Sequence, residues 1–213
     1  MPAFLDPTKP IATCTAETCA DCPAGRLVHC HFRGPELAQF LLNMLPPFVL
    51  AGAGIVRVSW WWLLPWLALV LGYFGLLEIR VMCSHCPHYA EPGETLKCWA
   101  NYGAPKLWAY RPGPMSGTET FWFFAGLAAV WVYPLVFLLM GRQWFLLMVY
   151  LLTTAAAGST LRMFLCTQCM NFACPLHNAG DKARQLFFAR NPGVAEGWEG
   201  AERAEEPTSR ENP

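Results

Sequence analysis

Four apolar blocks, at about 36–56, 60–82, 119–140 and 144–165, constrain this chain more than any other feature. Each reaches the roughly 20 residues that a helix needs to cross the hydrocarbon core of a bilayer. Charged residues make up only 14% of the chain, against roughly 25% in ordinary globular proteins. The turns after the first and third blocks, around Arg57 and Arg142, are very short. The expected fold is an all-α membrane protein: four transmembrane helices as two hairpins, with a cysteine-rich irregular cap on one face.

Local chemistry refines this picture. Pro46-Pro47 lies inside the first block, where each proline removes an amide donor and crowds the preceding turn. Trp60-Trp61-Trp62 opens the second block and suits an interfacial aromatic belt. Residues 153–159 are small, which lets helices approach closely. The segment 83–118 is rich in Pro, Gly and aromatics and too long for a plain connector. Residues 181–190 suit a short amphipathic helix, with Leu186, Phe187 and Phe188 at the membrane. The division expected is a cysteine-rich segment 1–35, a membrane domain 36–165, a cysteine motif with its amphipathic segment 166–191, and a disordered acidic tail 192–213. No basic region followed by a short apolar run opens the chain, so no cleaved signal peptide is expected.

Ten cysteines occur in 213 residues, which raises the question of compartment. Four crossings with two tight turns put residues 1–35, the 83–118 loop and the C-terminal segment on one side. Of the 15 Lys and Arg, only Arg57 and Arg142 fall on the other. The positive-inside rule then makes the cysteine side, and both termini, cytoplasmic at the inner membrane. Thiols there stay reduced and more often bind metal than pair as disulfides.

The cysteines form three groups. Cys14, Cys19, Cys22 and Cys30 supply four thiolates, enough for one tetrahedral zinc or one iron–sulfur cluster. Cys83, Cys86 and Cys98 form the second group, and Cys166, Cys169 and Cys174 the third. Three readings fit these trios: completion by a histidine (His88 or His85 for one, His177 for the other), one four-thiolate site made by two Cys-x-x-Cys knuckles, or two clusters each with an open iron. Cys83 and Cys166 lie 83 residues apart, as do Cys86 and Cys169, and an arginine precedes each pair, Arg80 and Arg162. This suggests a pseudo-repeat. Each group also contains Cys-Pro, as the bacterial ferredoxin run does. Proline removes an amide donor beside the thiolate, which would lower a cluster's potential.

Arg80 and Arg162 suit helix C-termini electrostatically. They also suit a cofactor role, because a fixed cation stabilises the reduced form of an anionic cluster. Glu78 is a candidate partner for either. All five histidines lie near cysteines.

No nucleotide-binding or hydrolase motif is present, and zero net charge argues against a nucleic-acid partner. The leading expectation is an iron–sulfur protein of the membrane that passes electrons to or from a protein partner or a quinone. The alternatives are a zinc-stabilised subunit of a membrane complex and a quinone-linked thiol–disulfide oxidoreductase.

Overall fold

The computed structural model describes residues 9–205. Within them the chain is helical, with no strand beyond two isolated bridges. Four helices are long and apolar enough to cross a membrane: α1 (Gly34–Val58), α2 (Trp60–His85), α3 (Gly117–Met140) and α4 (Trp144–Leu165). Two shorter helices follow, α5 (Asp181–Arg190) and α6 (Pro192–Glu205).

The long helices carry apolar residues on their outer surfaces. Leu42 and Leu71 are each 70% exposed and Phe145 77%. Such exposure suits lipid, which solvates apolar side chains but no open backbone. Inside the bundle, polar side chains meet backbone groups. Pro134 sits within α3 and brings no N–H for the carbonyl of Val130 one turn earlier. The indole Nε1 of Trp66 donates to that carbonyl at 3.1 Å. The Tyr73 hydroxyl donates to the carbonyl of Phe123 at 2.9 Å. Its ring lies so close to Gly126 that a Cβ there would stand 2.3 Å from it. α1 packs on α3 and α4, and α2 packs on α3. Ala51, Ile55, Trp66, Leu138 and Tyr150 form a buried core toward the two tight turns.

α2 and α4 are both interrupted by π-turns, Tyr73–Leu77 and Leu161–Leu165. The 83–118 segment doubles back on itself: Leu96 N–H donates to Ala104 O, and Gly103 N–H to Leu96 O. Leu96, Trp108 and Tyr110 pack there on Ile79, Met82 and Phe123.

The C-terminal segment departs from expectation twice. Phe187 is fully buried, in a core with Val28, Met170 and Phe172, rather than lying at the membrane. The reason is that Ala183 and Phe187, four residues apart, point to one face of α5, and that face meets the N-terminal segment. Residues 192–205, expected to be disordered, form α6. Val194 and Trp198 are also four apart and close on the same core, and the Arg184 guanidinium lies 4.2 Å from the Trp198 ring centre. Gly113 takes φ +118° and packs on Gly197, where no Cβ would fit on either side. Residues 206–213 of that tail, and 1–8 of the first segment, lie outside the described residues.

Candidate metal centres

The end of α2 tightens into two successive 3-10 turns, Cys83–His85 and Pro87–Tyr89, separated by extended backbone at Cys86. Pro87 favours this break, because a residue before proline is pushed out of the helical region. α4 ends in its π-turn, with Cys166 N–H bonded to Leu161 O. Tight turns follow, with Cys174 N–H on Asn171 O and His177 N–H on Cys174 O. As a result Cys83, Cys86, Cys98, Cys166, Cys169 and Cys174 all line one cavity of about 750 Å³. Glu78, His88, Asn101, Arg162 and His177 also face it.

Amide groups point at these sulfurs. Asn101 donates its backbone N–H to Cys98 Sγ and its side-chain Nδ2 to Cys83 Sγ, both at 3.2 Å. The Asn171 N–H reaches Cys169 Sγ at 3.5 Å. The amide of His88 approaches Cys86, and those of Leu176 and His177 approach Cys174. The backbone donors lie two or three residues beyond their cysteines, and the Asn101 side chain reaches Cys83 from 18 residues away. The prolines that directly follow Cys86 and Cys174 therefore remove none of these donors.

Burial pushes the Cys86, Cys98 and Cys169 thiols up, and Cys174 to about 12. Cys169, from the other knuckle, lies near enough to Cys86 to add to its rise behind burial. Cys166 is raised by burial as well, with Arg162 opposing the shift.

The first group lines a separate cavity of about 450 Å³, into which Cys14, Cys19, Cys22 and Cys30 all face. Burial, with Cys22, Cys14 and Cys19 nearby, pushes Cys30 up to about 12. The two cavities are tied together by backbone. His29 N–H donates to Gln168 O at 2.8 Å, and His29 bridges Cys169 in parallel. Cys30 and Cys169 thus sit on two hydrogen-bonded strands of chain.

Arg162 faces the large cavity, but Arg80 does not. Its Nη1 lies 3.6 Å from Glu119 Oε1, where Arg111 also pairs at 2.7 Å and His85 at 3.3 Å from Oε2. Arg80 therefore belongs to a charge cluster at the start of α3, because it leaves α2 on the side facing that helix. His85 turns the same way and is not placed to complete the second group. Glu78 pairs with neither arginine: it is 8% exposed, with Oε1 3.5 Å from Asn101 Nδ2 and Oε2 buried without a partner among the described residues. His88 is buried, its Nδ1 also without a partner, and burial takes its pKa down to about 3. His177 lies on the Phe172 ring with Nε2 3.2 Å from Cys169 O. In the first group His29 pairs with Glu36, and His31 Nε2 meets Lys9 O at 2.8 Å.

Asn101, Asn171 and Glu119 were not anticipated. The asparagines stand three residues after Cys98 and two after Cys169, the offsets at which amides turn back toward a sulfur. The Ser116-x-x-Glu119 capping box signals the position of Glu119.

No disulfide joins any of the cysteines among the described residues. Among the described residues, no three His, Cys, Asp or Glu side chains close on a point suited to one ion. A tetrahedral zinc with Zn–S bonds of about 2.3 Å draws its sulfurs to roughly 3.8 Å from each other. The thiols line cavities of about 750 and 450 Å³. Comparison with family models, with curated proteins and with solved structures finds no match to this chain.

Proposed function

We propose that this chain is an electron carrier of the inner membrane, holding iron–sulfur clusters in its two thiol-lined cavities. The observation that carries this reading is the gathering of six cysteines from two distant segments around one cavity, with a further four around a second. Amide N–H groups directed at the sulfurs support it, because they offset the negative charge of a thiolate-bound cluster. In the small cavity the ligands are Cys14, Cys19, Cys22 and Cys30. In the large one they are the six remaining cysteines, with His88 and His177 as added donors.

The two cavities form a relay. The backbone contact from His29 to Gln168 supports this, since it leaves little but peptide between Cys30 and Cys169. A soluble one-electron carrier protein is the donor at the first centre, and the second exchanges electrons with a partner in the membrane. The cysteine cap faces the cytoplasm, with both termini there. The charge asymmetry about the four helices supports this orientation. The two hairpins, each ending in a cysteine knuckle, form the pseudo-repeat that builds the large centre.

The test is iron and acid-labile sulfide analysis of anaerobically purified protein, with electron paramagnetic resonance of the reduced state. Iron and sulfide are expected together. Cys86→Ala and Cys169→Ala should remove the same signal, and Cys30→Ala a different one. Stoichiometric zinc in a colourless sample would overturn the proposal in favour of a structural role.

A further inference from the structure

The large cavity extends well beyond its cysteines. It runs between the helices, lined by Phe48, Phe74, Leu127 and Trp131. Three of its lining residues on α1, namely Leu41, Leu42 and Leu45, are also 55%, 70% and 57% exposed on the outer surface of the bundle. On α4, Gly158 lines it too, and a Cβ there would meet open space. The cavity thus reaches the outer surface beside Leu41, Leu42 and Leu45, a portal into the layer where lipid tails lie.

Its inner end differs. Glu78 is buried there with Oε2 unpartnered, and His88 with Nδ1 unpartnered. Buried polar atoms without partners are costly and rare; with His88 taken up as a donor to the large centre, Glu78 Oε2 is left to point to a ligand that supplies its missing hydrogen bond. A cavity of about 750 Å³ falls within the usual range for small-molecule sites, and such sites combine apolar walls with a few placed polar groups.

From this we infer that the cavity binds a lipid-soluble quinone. Its isoprenoid tail leaves through the portal beside Leu41, Leu42 and Leu45. Its ring lies at the inner end, with one ring oxygen hydrogen-bonded to Glu78. This identification of the membrane partner rests on the electron-transfer reading above. The reaction it implies is reduction of the quinone by two electrons and two protons to the quinol. The electrons arrive singly from the large centre, which the soluble one-electron carrier re-reduces through the first centre, and the protons come from water. Of the ligands an apolar tunnel accepts, a quinone is favoured over an acyl chain, because the polar end lies among redox-capable sulfurs and away from the portal.

The experiment uses the full chain in nanodiscs and a decyl-tailed benzoquinone, with quenching of tryptophan fluorescence as the readout, since Trp99 and Trp131 line the cavity. Iron is measured on the same samples. Saturable quenching is expected, weakened at least tenfold by Leu45→Trp, which narrows the portal, and severalfold by Glu78→Gln. Gly158→Leu, at a cavity-lining position where an added Cβ meets nothing within 4 Å, is a second variant expected to narrow the cavity. Equal quenching in all four proteins would overturn the site, as would equal competition by a saturated fatty acid of the same length. Portal-dependent binding to protein that lacks iron would uphold the quinone site and sink the electron-transfer reading alone.

Discussion

The side-chain amide of Asn101 donates to the thiol of Cys83 at 3.2 Å, while the backbone amide of the same residue donates to Cys98 at the same distance. One residue therefore serves two sulfurs of the second group, and its Nδ2 also approaches Glu78. Asn101→Leu should remove the side-chain bond and keep the backbone one. An N–H donor favours the more negative, reduced cluster, so its loss lowers the midpoint potential. A net hydrogen bond of about 1 kcal/mol corresponds to about 40 mV for one electron. Redox titration followed by electron paramagnetic resonance reads the shift.

Arg162 and Arg80 should behave differently despite their matching positions before a knuckle. Arg162 faces the large cavity and acts on Cys166. Arg162→Leu should lower the potential of that centre by on the order of tens of millivolts. Arg80→Leu should leave the potential alone and lower the melting temperature, because its guanidinium serves Glu119. Measuring both quantities on both variants separates the two roles.

Glu119 holds Arg80, Arg111 and His85 together and caps α3 through Ser116. Glu119→Ala leaves these groups clustered without their shared acceptor. The expected loss is about 1–2 kcal/mol, from the cap and partly exposed ion pairs. It should appear as a lowered denaturation midpoint with unchanged metal content.

In metal-free protein, stability should fall in acid partly through His88. Burial depresses its pKa to about 3 in the folded protein, against about 6.5 in an unfolded chain. Below 6.5 the unfolded state binds the extra proton, so stability is full above that pH and declines as pH drops toward 3. Melting temperature measured from pH 7 to pH 4 should decline less steeply in His88→Gln than in the parent protein.

The four long helices were legible because a bilayer demands an uninterrupted apolar length, and their observed ends agree with the hydropathy blocks to within about three residues. Side-chain direction was not legible in the same way. Arg80 was read by its distance from Cys83 along the chain, but its contact is set by rotation about the helix axis, which turns it toward α3. The tail was read from its acidic composition. Two apolar residues at helical spacing, Val194 and Trp198, were enough to order it once Phe187 and Phe188 offered a surface. The grouping of cysteines within each segment could be read directly. The meeting of the second and third groups was one of three readings that the spacing left open, because irregular loops carry no periodicity from which to project a direction.

The hydrogen bond between His29 and Gln168 also has a consequence for biogenesis. His29 leaves the ribosome before any of the four membrane helices, and Gln168 only after the last of them. At 5–20 residues per second, roughly 140 residues of synthesis separate the two, on the order of ten seconds. During that time Cys30 and its neighbours lack Met170, Phe172 and Phe187, the residues that later bury beside Val28. The first cysteines made are therefore the last to be enclosed, so maturation of this end of the protein follows translation and membrane insertion rather than accompanying them.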